Sequence, residues 1–218
     1  MAGKAEFVYP EKRVVEKSRT TTNSYTHPII RIIFWNRFKT AFNLLRHERY
    51  NLMLEIGCSY GFALPSLCGI SKRVIGTDVE GTFNLCKDLT LLDIQQAHPN
   101  LELTPANVFE LSAVIKPDSC DVILAFSVLE HLSSNHDKAL SEILVCLRPG
   151  GLFICELPSE NWLYRLGRKL IRYHEAHKGY DYNAVRRLVL NFFKEVKVVN
   201  SPFGIPLFKI GVYQKGLN

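Results

Sequence analysis

Between Asn51 and Leu157, short apolar runs alternate with longer stretches of helical period, and that rhythm leaves few folds open. Leu52–Ile56, Arg73–Thr77, Leu101–Thr104, Asp121–Phe126 and Gly151–Glu156 predict strands, with helices beginning near Phe62, Thr82 and Ser134 between them. Connections of that length join parallel strands through right-handed crossovers and cover both faces of the sheet. The expected class is therefore α/β, a doubly wound, mostly parallel sheet with helices on both faces.

The flanks read differently. Ile30, Phe34, Phe38, Ala41, Phe42 and Leu45 recur at three- and four-residue steps, with Arg31, Arg37, Lys39 and Arg46 between them, which predicts an amphipathic helix within residues 28–50. Residues 1–27 are polar, lack an apolar period and read as a flexible arm. After the core of residues 51–157, residues 158–180 carry Trp162, Tyr164, Tyr173 and Tyr180 among five Lys/Arg, a lid-like insertion. A helix near Asn183–Leu190 follows, then strands at Glu195–Asn200 and Leu207–Gln214, close enough in sequence to pair antiparallel. Residues 28–218 thus read as one domain.

Composition narrows the class further. With 47% hydrophobic and 22% charged residues in 218, the chain is neither disordered, collagenous nor coiled-coil. No apolar run approaches the roughly 18–20 residues that span a bilayer, and the first 25 residues lack a hydrophobic signal core, so a soluble, cytoplasmic protein is expected. Six cysteines, none in a Cys-x-x-Cys pair, predict reduced thiols and no zinc site. The net charge of +6 is unevenly spread. Residues 1–50 carry ten Lys/Arg against four Asp/Glu, residues 51–157 six against thirteen, and residues 158–218 eleven against four. Basic flanks around an acidic centre fit either solvated helix faces or an anionic partner, and a basic amphipathic helix also fits peripheral contact with an anionic membrane.

The sharpest local signal is Leu54-Glu55-Ile56 running into Gly57-Cys58-Ser59-Tyr60-Gly61 and then a helix. Glycines at the carboxyl end of a first strand let backbone approach a ligand, at the place where open α/β sheets bind cofactors. A dinucleotide turn needs Gly-x-Gly-x-x-Gly, but Ser59 and Phe62 hold its second and third glycine positions, and a Walker lysine is absent. The same residues do satisfy the Gly-x-Ser-x-Gly elbow of a serine hydrolase, with Ser59 as nucleophile and Asp121 and His174 or His177 following in triad order. Against it, only an arm and one helix precede Ser59, where a hydrolase supplies its oxyanion loop. S-adenosylmethionine, which has a ribose and no phosphate, also fits: Asp78 stands 21 residues after Gly57, near the spacing of a ribose-binding carboxylate. A module that keeps the turn without catalysis is a further alternative, and Asp78 alone reads equally as a helix N-cap.

Four segments in order bear on the choice, with the hydrolase and the non-catalytic module kept as alternatives. Glu55-Ile56-Gly57-Cys58-Ser59-Tyr60-Gly61, Val74-Ile75-Gly76-Thr77-Asp78, Cys120 through Leu132 and Leu147-Arg148-Pro149-Gly150-Gly151 together resemble the ordered motifs of class I S-adenosylmethionine-dependent methyltransferases. The resemblance implies a Rossmann-like, seven-stranded sheet with an antiparallel last strand, S-adenosylmethionine as cofactor, and methyl transfer. It implies that Gly57, Cys58, Ser59 and Gly61 wrap the methionine portion, with Glu55 near its ammonium. It places Asp78 on the ribose, Val79 against adenine, Asn107 and Val108 at the adenine edge, and Phe126 and Ser127 beside the reactive methyl. Glu130 and His131, just past the fourth strand, become the candidate catalytic groups. Relatives that bind a divalent metal through Glu-x-x-Glu-His have a glutamate where Ser127 stands, so no metal is expected.

Methyl transfer is an in-line displacement, and holding the reactants at ~3–3.5 Å in a dry pocket supplies ~7–11 kcal/mol without any catalytic dyad. A base is needed only for a protonated nucleophile. The acceptor expected is an O, N or C nucleophile on a small or lipid-linked molecule, with Trp162, Tyr164, His174, His177 and Tyr180 as candidate pocket residues. Arg165, Arg168, Lys169 and Arg172 fit an anionic acceptor. Nucleic acid ranks below a small molecule because no RNA-binding module or base-methylating motif is present.

Overall fold

The computed structural model describes residues 6–18, 25–28, 30–45, 49–132, 135–170 and 180–217. Its seven strands are β1 (Tyr50–Ile56), β2 (Ser71–Asp78), β3 (Leu101–Pro105), β4 (Cys120–Phe126), β5 (Leu147–Pro158), β6 (Lys194–Ser201) and β7 (Phe208–Gln214). They form one sheet in the order β3-β2-β1-β4-β5-β7-β6, with β7 antiparallel to both its neighbours and every other pairing parallel. The chain runs outward from β1 to β3, then returns beside β1 to lay down β4 and β5. Loops leaving β1 and β4 therefore diverge, and a crevice opens at the carboxyl ends of these strands.

Helices cover both faces: α1 (Lys12–Ser18), α2 (Ile30–Leu44), α3 (Leu64–Ile70), α4 (Glu80–Cys86), α5 (Leu92–Ala97), α6 (His136–Cys146), α7 (Trp162–Leu170) and α8 (Tyr182–Phe192). Because β1 and β4 lie at the centre, their apolar runs are buried on both sides; every residue of β4 is buried, and Met53 and Leu54 of β1 are fully so. One core packs α2 and α3 on Met53, Val122 and Leu124, and the other packs α6 and α8 on Leu54, Ile123 and Phe153. All six cysteines are free and buried. No helix among the described residues is long and apolar enough to cross a membrane.

The structure departs from the sequence reading in several places. The helix expected near Phe62 starts at Leu64, with Pro65 in its first turn, where its missing N–H costs nothing. The helix near Thr82 runs through a π turn at Lys87–Leu91 into α5. Ser134, the expected start of the next helix, lies outside the described residues, and α6 runs from His136. The strand at Gly151 begins earlier, at Leu147.

The largest departure concerns the polar stretch read as a flexible arm, which packs over its described residues. Phe7 is buried, its ring 6.1 Å from that of Phe42 and 6.4 Å from that of Phe38. Ser66 Oγ accepts from Val8 N at 2.8 Å and donates to Val8 O at 3.1 Å, and Lys17 pairs with Asp93 at 2.6 Å. Isolated anchors such as Phe7, Val14 and Tyr25 are too widely spaced to produce a period, which is why the sequence showed none. Phe7→Ala should lower stability by about 3 kcal/mol in urea denaturation; a loss within the noise would mean that the stretch is a free arm after all.

Candidate functional site

The bend after β1 enters the left-handed backbone region at Gly57 (φ +68°) and again at Ser59 (φ +46°). A Cβ on Gly57 would stand 2.5 Å from Val128 Cγ2, so only glycine lets the loop after β4 close over the bend. Ser59 tolerates its conformation because its N–H donates to Asp78 Oδ2 at 2.8 Å, tying the bend to the end of β2. Asp78 Oδ1 accepts from Val79 N, also at 2.8 Å. Burial raises the Asp78 carboxyl above its ordinary value while these two donors pull it down.

Glu55, buried on β1, has an oxygen, Oε2, without a hydrogen-bond partner. Burial and then the Asp78 charge push its carboxyl up to about 8, against the pull of Arg37. Leaving such a group unpaired costs ~1–3 kcal/mol, so the structure maintains an acceptor that a donor or cation would satisfy. Glu55, the bend and Asp78 line a cavity of about 820 Å³.

The other end of this cavity is aromatic. Phe34 and Phe38 of α2, Tyr164 of α7 and Phe208 of β7 wall it. Arg37 lies buried among them, its guanidinium carbon 4.8, 4.9 and 5.5 Å from the ring centres of Phe34, Phe38 and Phe208. One terminal nitrogen donates to Ser127 Oγ at 2.7 Å and Glu156 Oε2 at 3.1 Å, and the other donates to Tyr25 Oη at 2.8 Å. Ser127 Oγ donates in turn to Glu156 Oε2 at 2.9 Å, from a backbone held at φ +52°. Arg37 Nε, Glu156 Oε1 and Glu130 Oε2 remain buried without partners. Burial, with the neighbouring Glu156 charge, raises the Glu130 carboxyl; burial likewise raises Glu156, against Arg37.

Of the residues singled out in the sequence, Glu55, Gly57, Cys58, Ser59, Asp78, Val79, Asn107, Val108, Phe126, Ser127, Glu130 and His131 all border this cavity. Gly61 does not. Its φ of +72° and a Cβ that would stand 2.7 Å from Leu91 Cδ2 require glycine there for packing. The hydrolase arrangement fails on geometry. Ser59 Oγ faces Cys86 Sγ at 3.9 Å, and Asp121 sits at the amino end of β4, accepting from Asn51 N, Leu52 N and Arg148 Nε. His174, His177, Arg172 and Tyr173 lie outside the described residues, as do the side chains of Arg168 and Lys169. Of the remaining lid aromatics, Tyr164 lines the cavity, Tyr180 donates to Pro158 O at 3.0 Å, and Trp162 is exposed.

Sequence reasoning missed Arg37, Tyr25, Phe34, Phe208 and Glu156. Arg37 was grouped with Arg31, Lys39 and Arg46 between the apolar positions, yet it stands three residues after Phe34 and four before Ala41, inside the apolar stripe. That misplaced charge was the available signal.

Residues 54–155, the stretch from β1 to β5, match the family described as methyltransferase domain. A probable S-adenosylmethionine-dependent methyltransferase of Mycolicibacterium smegmatis is 32% identical over 129 residues, 58% of this chain and 46% of that protein. Over this stretch the chain is similar to class I S-adenosylmethionine-dependent methyltransferases, and both findings support that reading. The cofactor of this family is S-adenosylmethionine, and the cavity crosses the strand ends at which the family's motifs lie. The chain spans about half the length of that M. smegmatis relative. Its fold is shared by a Pyrococcus horikoshii protein (TM-score 0.68, 14% identity, 92% of this chain and 98% of that one). It is shared too by an S-adenosylmethionine-dependent methyltransferase of Aquifex aeolicus (TM-score 0.63, 16% identity, 94% and 98%).

The raised Glu55 carboxyl fixes a sign for pH dependence. With the folded value near 8 and the ordinary one at 4.5, the folded state binds the extra proton between them, so stability is full below that window and is lost as pH rises through it. Glu55→Gln should therefore be the more stable protein by at least about 1 kcal/mol above the window when no ligand is present. An unchanged pH slope in urea denaturation would show that Glu55 is already ionised and solvated.

Proposed function

We propose that this protein transfers the methyl group of S-adenosylmethionine to a nucleophile on a small-molecule or lipid-linked acceptor, a hydroxyl being the nucleophile that suits the site best. One observation carries the reading: a single cavity joins the pinned Asp78 carboxylate and the unpartnered Glu55 oxygen to an aromatic chamber that contains Glu130.

The donor set fits the cofactor. Asp78, with both oxygens oriented by backbone N–H groups, accepts from the two ribose hydroxyls. Val79, 49% exposed, offers an apolar surface to adenine, with Asn107 and Val108 at its edge. Gly57, Cys58 and Ser59 give the methionine portion a backbone wall, and Glu55 Oε2 receives its ammonium through water. Phe126 and Ser127 border the methyl. When bound, S-adenosylmethionine supplies a sulfonium methyl already activated for displacement.

At the acceptor end, the rings of Phe34, Phe38, Tyr164 and Phe208 exclude water and hold a flat or apolar body. Glu130, through its free oxygen, takes the proton of the attacking hydroxyl, a role worth roughly 10²–10⁴ in rate. His131, also at the cavity wall, is the second group in reach of that proton. Arg37 is charge-compensated by Glu156, while Glu55, Asp78 and Glu130 leave the lining acidic. This balance favours an uncharged reacting group, with any anionic part of the acceptor left at the basic rim. Residues 158–170 serve as one wall of the acceptor site, through Tyr164.

Calorimetric titration with S-adenosylhomocysteine should give saturable binding that Asp78→Ala weakens about 10- to 100-fold; no binding by the wild type at millimolar ligand would remove the proposal. With methyl-labelled cofactor and a cell extract, label should move into the small-molecule or organic-soluble fraction. Glu130→Gln should lower that transfer by roughly 10²-fold or more with cofactor affinity unchanged. Label found only in precipitated protein or nucleic acid would contradict the acceptor class.

A further inference from the structure

We propose that the outer rim of the acceptor chamber is a docking face for an anionic lipid bilayer, which sets the chamber beside the membrane from which a lipid-linked acceptor comes. The inference rests on the methyl-transfer reading above. Three elements build both the chamber and the rim. α2 turns Phe34 into the cavity and leaves Ile32 51% exposed; α7 turns Tyr164 inward and leaves Trp162 74% and Leu166 46% exposed. β7 contributes Phe208 to the cavity, and the turn preceding it leaves Phe203 72% and Ile205 42% exposed.

Hydrogen bonds hold these elements together. Asn36 Oδ1 of α2 accepts from Phe203 N at 3.2 Å, while Ser159 Oγ and Asn161 Nδ2, just before α7, both donate to Pro206 O at 2.6 Å. Phe203 sits at φ +51°, a costly conformation for a bulky residue, and its ring gains no burial in return. A strained turn that projects a phenyl ring, beside a tryptophan more exposed than any other ring among the described residues, is the arrangement by which proteins insert into the headgroup boundary.

Charge selects the bilayer over other occupants. In sequence the flanks that supply these elements carry more Lys/Arg than Asp/Glu, and among their described residues Arg31 and Lys39 of α2 and Arg165 of α7 are exposed. Arg31, next to Ile32, is exposed, and Arg165, next to Leu166, is exposed with Glu160 3.8 Å away. A second copy of the chain would bring the same positive charge to the face, whereas anionic headgroups neutralise it.

Sedimentation of the full chain with vesicles tests this directly. Phosphatidylcholine vesicles containing phosphatidylglycerol should bring the protein down with a blue shift of tryptophan emission, and phosphatidylcholine alone should bind it about tenfold less. Combining Trp162→Ser with Phe203→Ser should cut partitioning by about tenfold or more, while the affinity for S-adenosylhomocysteine stays at the wild-type value and so reports an intact fold. Wild-type protein left in the supernatant with anionic vesicles, or a double variant that sediments like wild type, would end the proposal. A dimer in solution that the same two substitutions abolish would give the face to a second copy instead. Intact vesicle binding without S-adenosylhomocysteine binding would strike the methyl-transfer reading and leave the docking face standing.

Discussion

A single carboxylate holds the binding crevice in shape. Asp78 ends β2, yet one of its oxygens takes the N–H of Ser59, two residues into the bend that ends β1. The adjacent parallel strands thereby share one polar clamp at their carboxyl ends, and the bend stays in a left-handed conformation that a serine does not otherwise favour. Gly57 completes the arrangement by allowing Val128, from beyond β4, to pack where a side chain would have stood. The cavity exists because three strand ends are tied there without filling the space between them.

A second buried polar cluster closes the far end, on different terms. Arg37 brings a charge from α2 into the ends of β4 and β5, where Glu156, Ser127, Tyr25 and three aromatic rings receive it. Burying such a pair is poor value for stability, since desolvation offsets most of the attraction. Its geometric effect is larger, because α2 is locked over the crevice in one register and its phenylalanines become the chamber wall. Of the residues whose buried atoms find no partner, Arg37, Glu130 and Glu55 line one continuous space, and Glu156 is held against Arg37. Unsatisfied groups are rare in folded interiors, and their concentration at one place marks where the molecule gives up stability for binding.

These clusters give the molecule an electrostatic polarity. From the acidic middle of the chain, Glu55, Asp78 and Glu130 line the cavity, and from the basic flanks α2 and α7 supply walls of its other half through Phe34, Phe38 and Tyr164. The two ends of the chain meet at one place, where Ser201 at the end of β6 donates to Asn36 of α2, 165 residues away.

The alternation of apolar runs and helical stretches, the closing hairpin and the glycine bend were readable from the chain alone, since periodicity and backbone sterics act over a few residues at a time. The same local logic singled out Asp78, Glu55 and Glu130 near strand ends, and all three line the one cavity. It did not show that Gly61 packs against Leu91, read Phe7 and Tyr25 as parts of a flexible arm, and did not separate Arg37 from the other cations of its helix. Each of those outcomes depends on a partner that long-range folding delivers: Glu156 lies 119 residues from Arg37, and Ser66 lies 58 from Val8. Sequence periodicity reports which side of an element is apolar, but whether a charge on that side meets water or a counter-charge is decided by which distant strand end arrives opposite it.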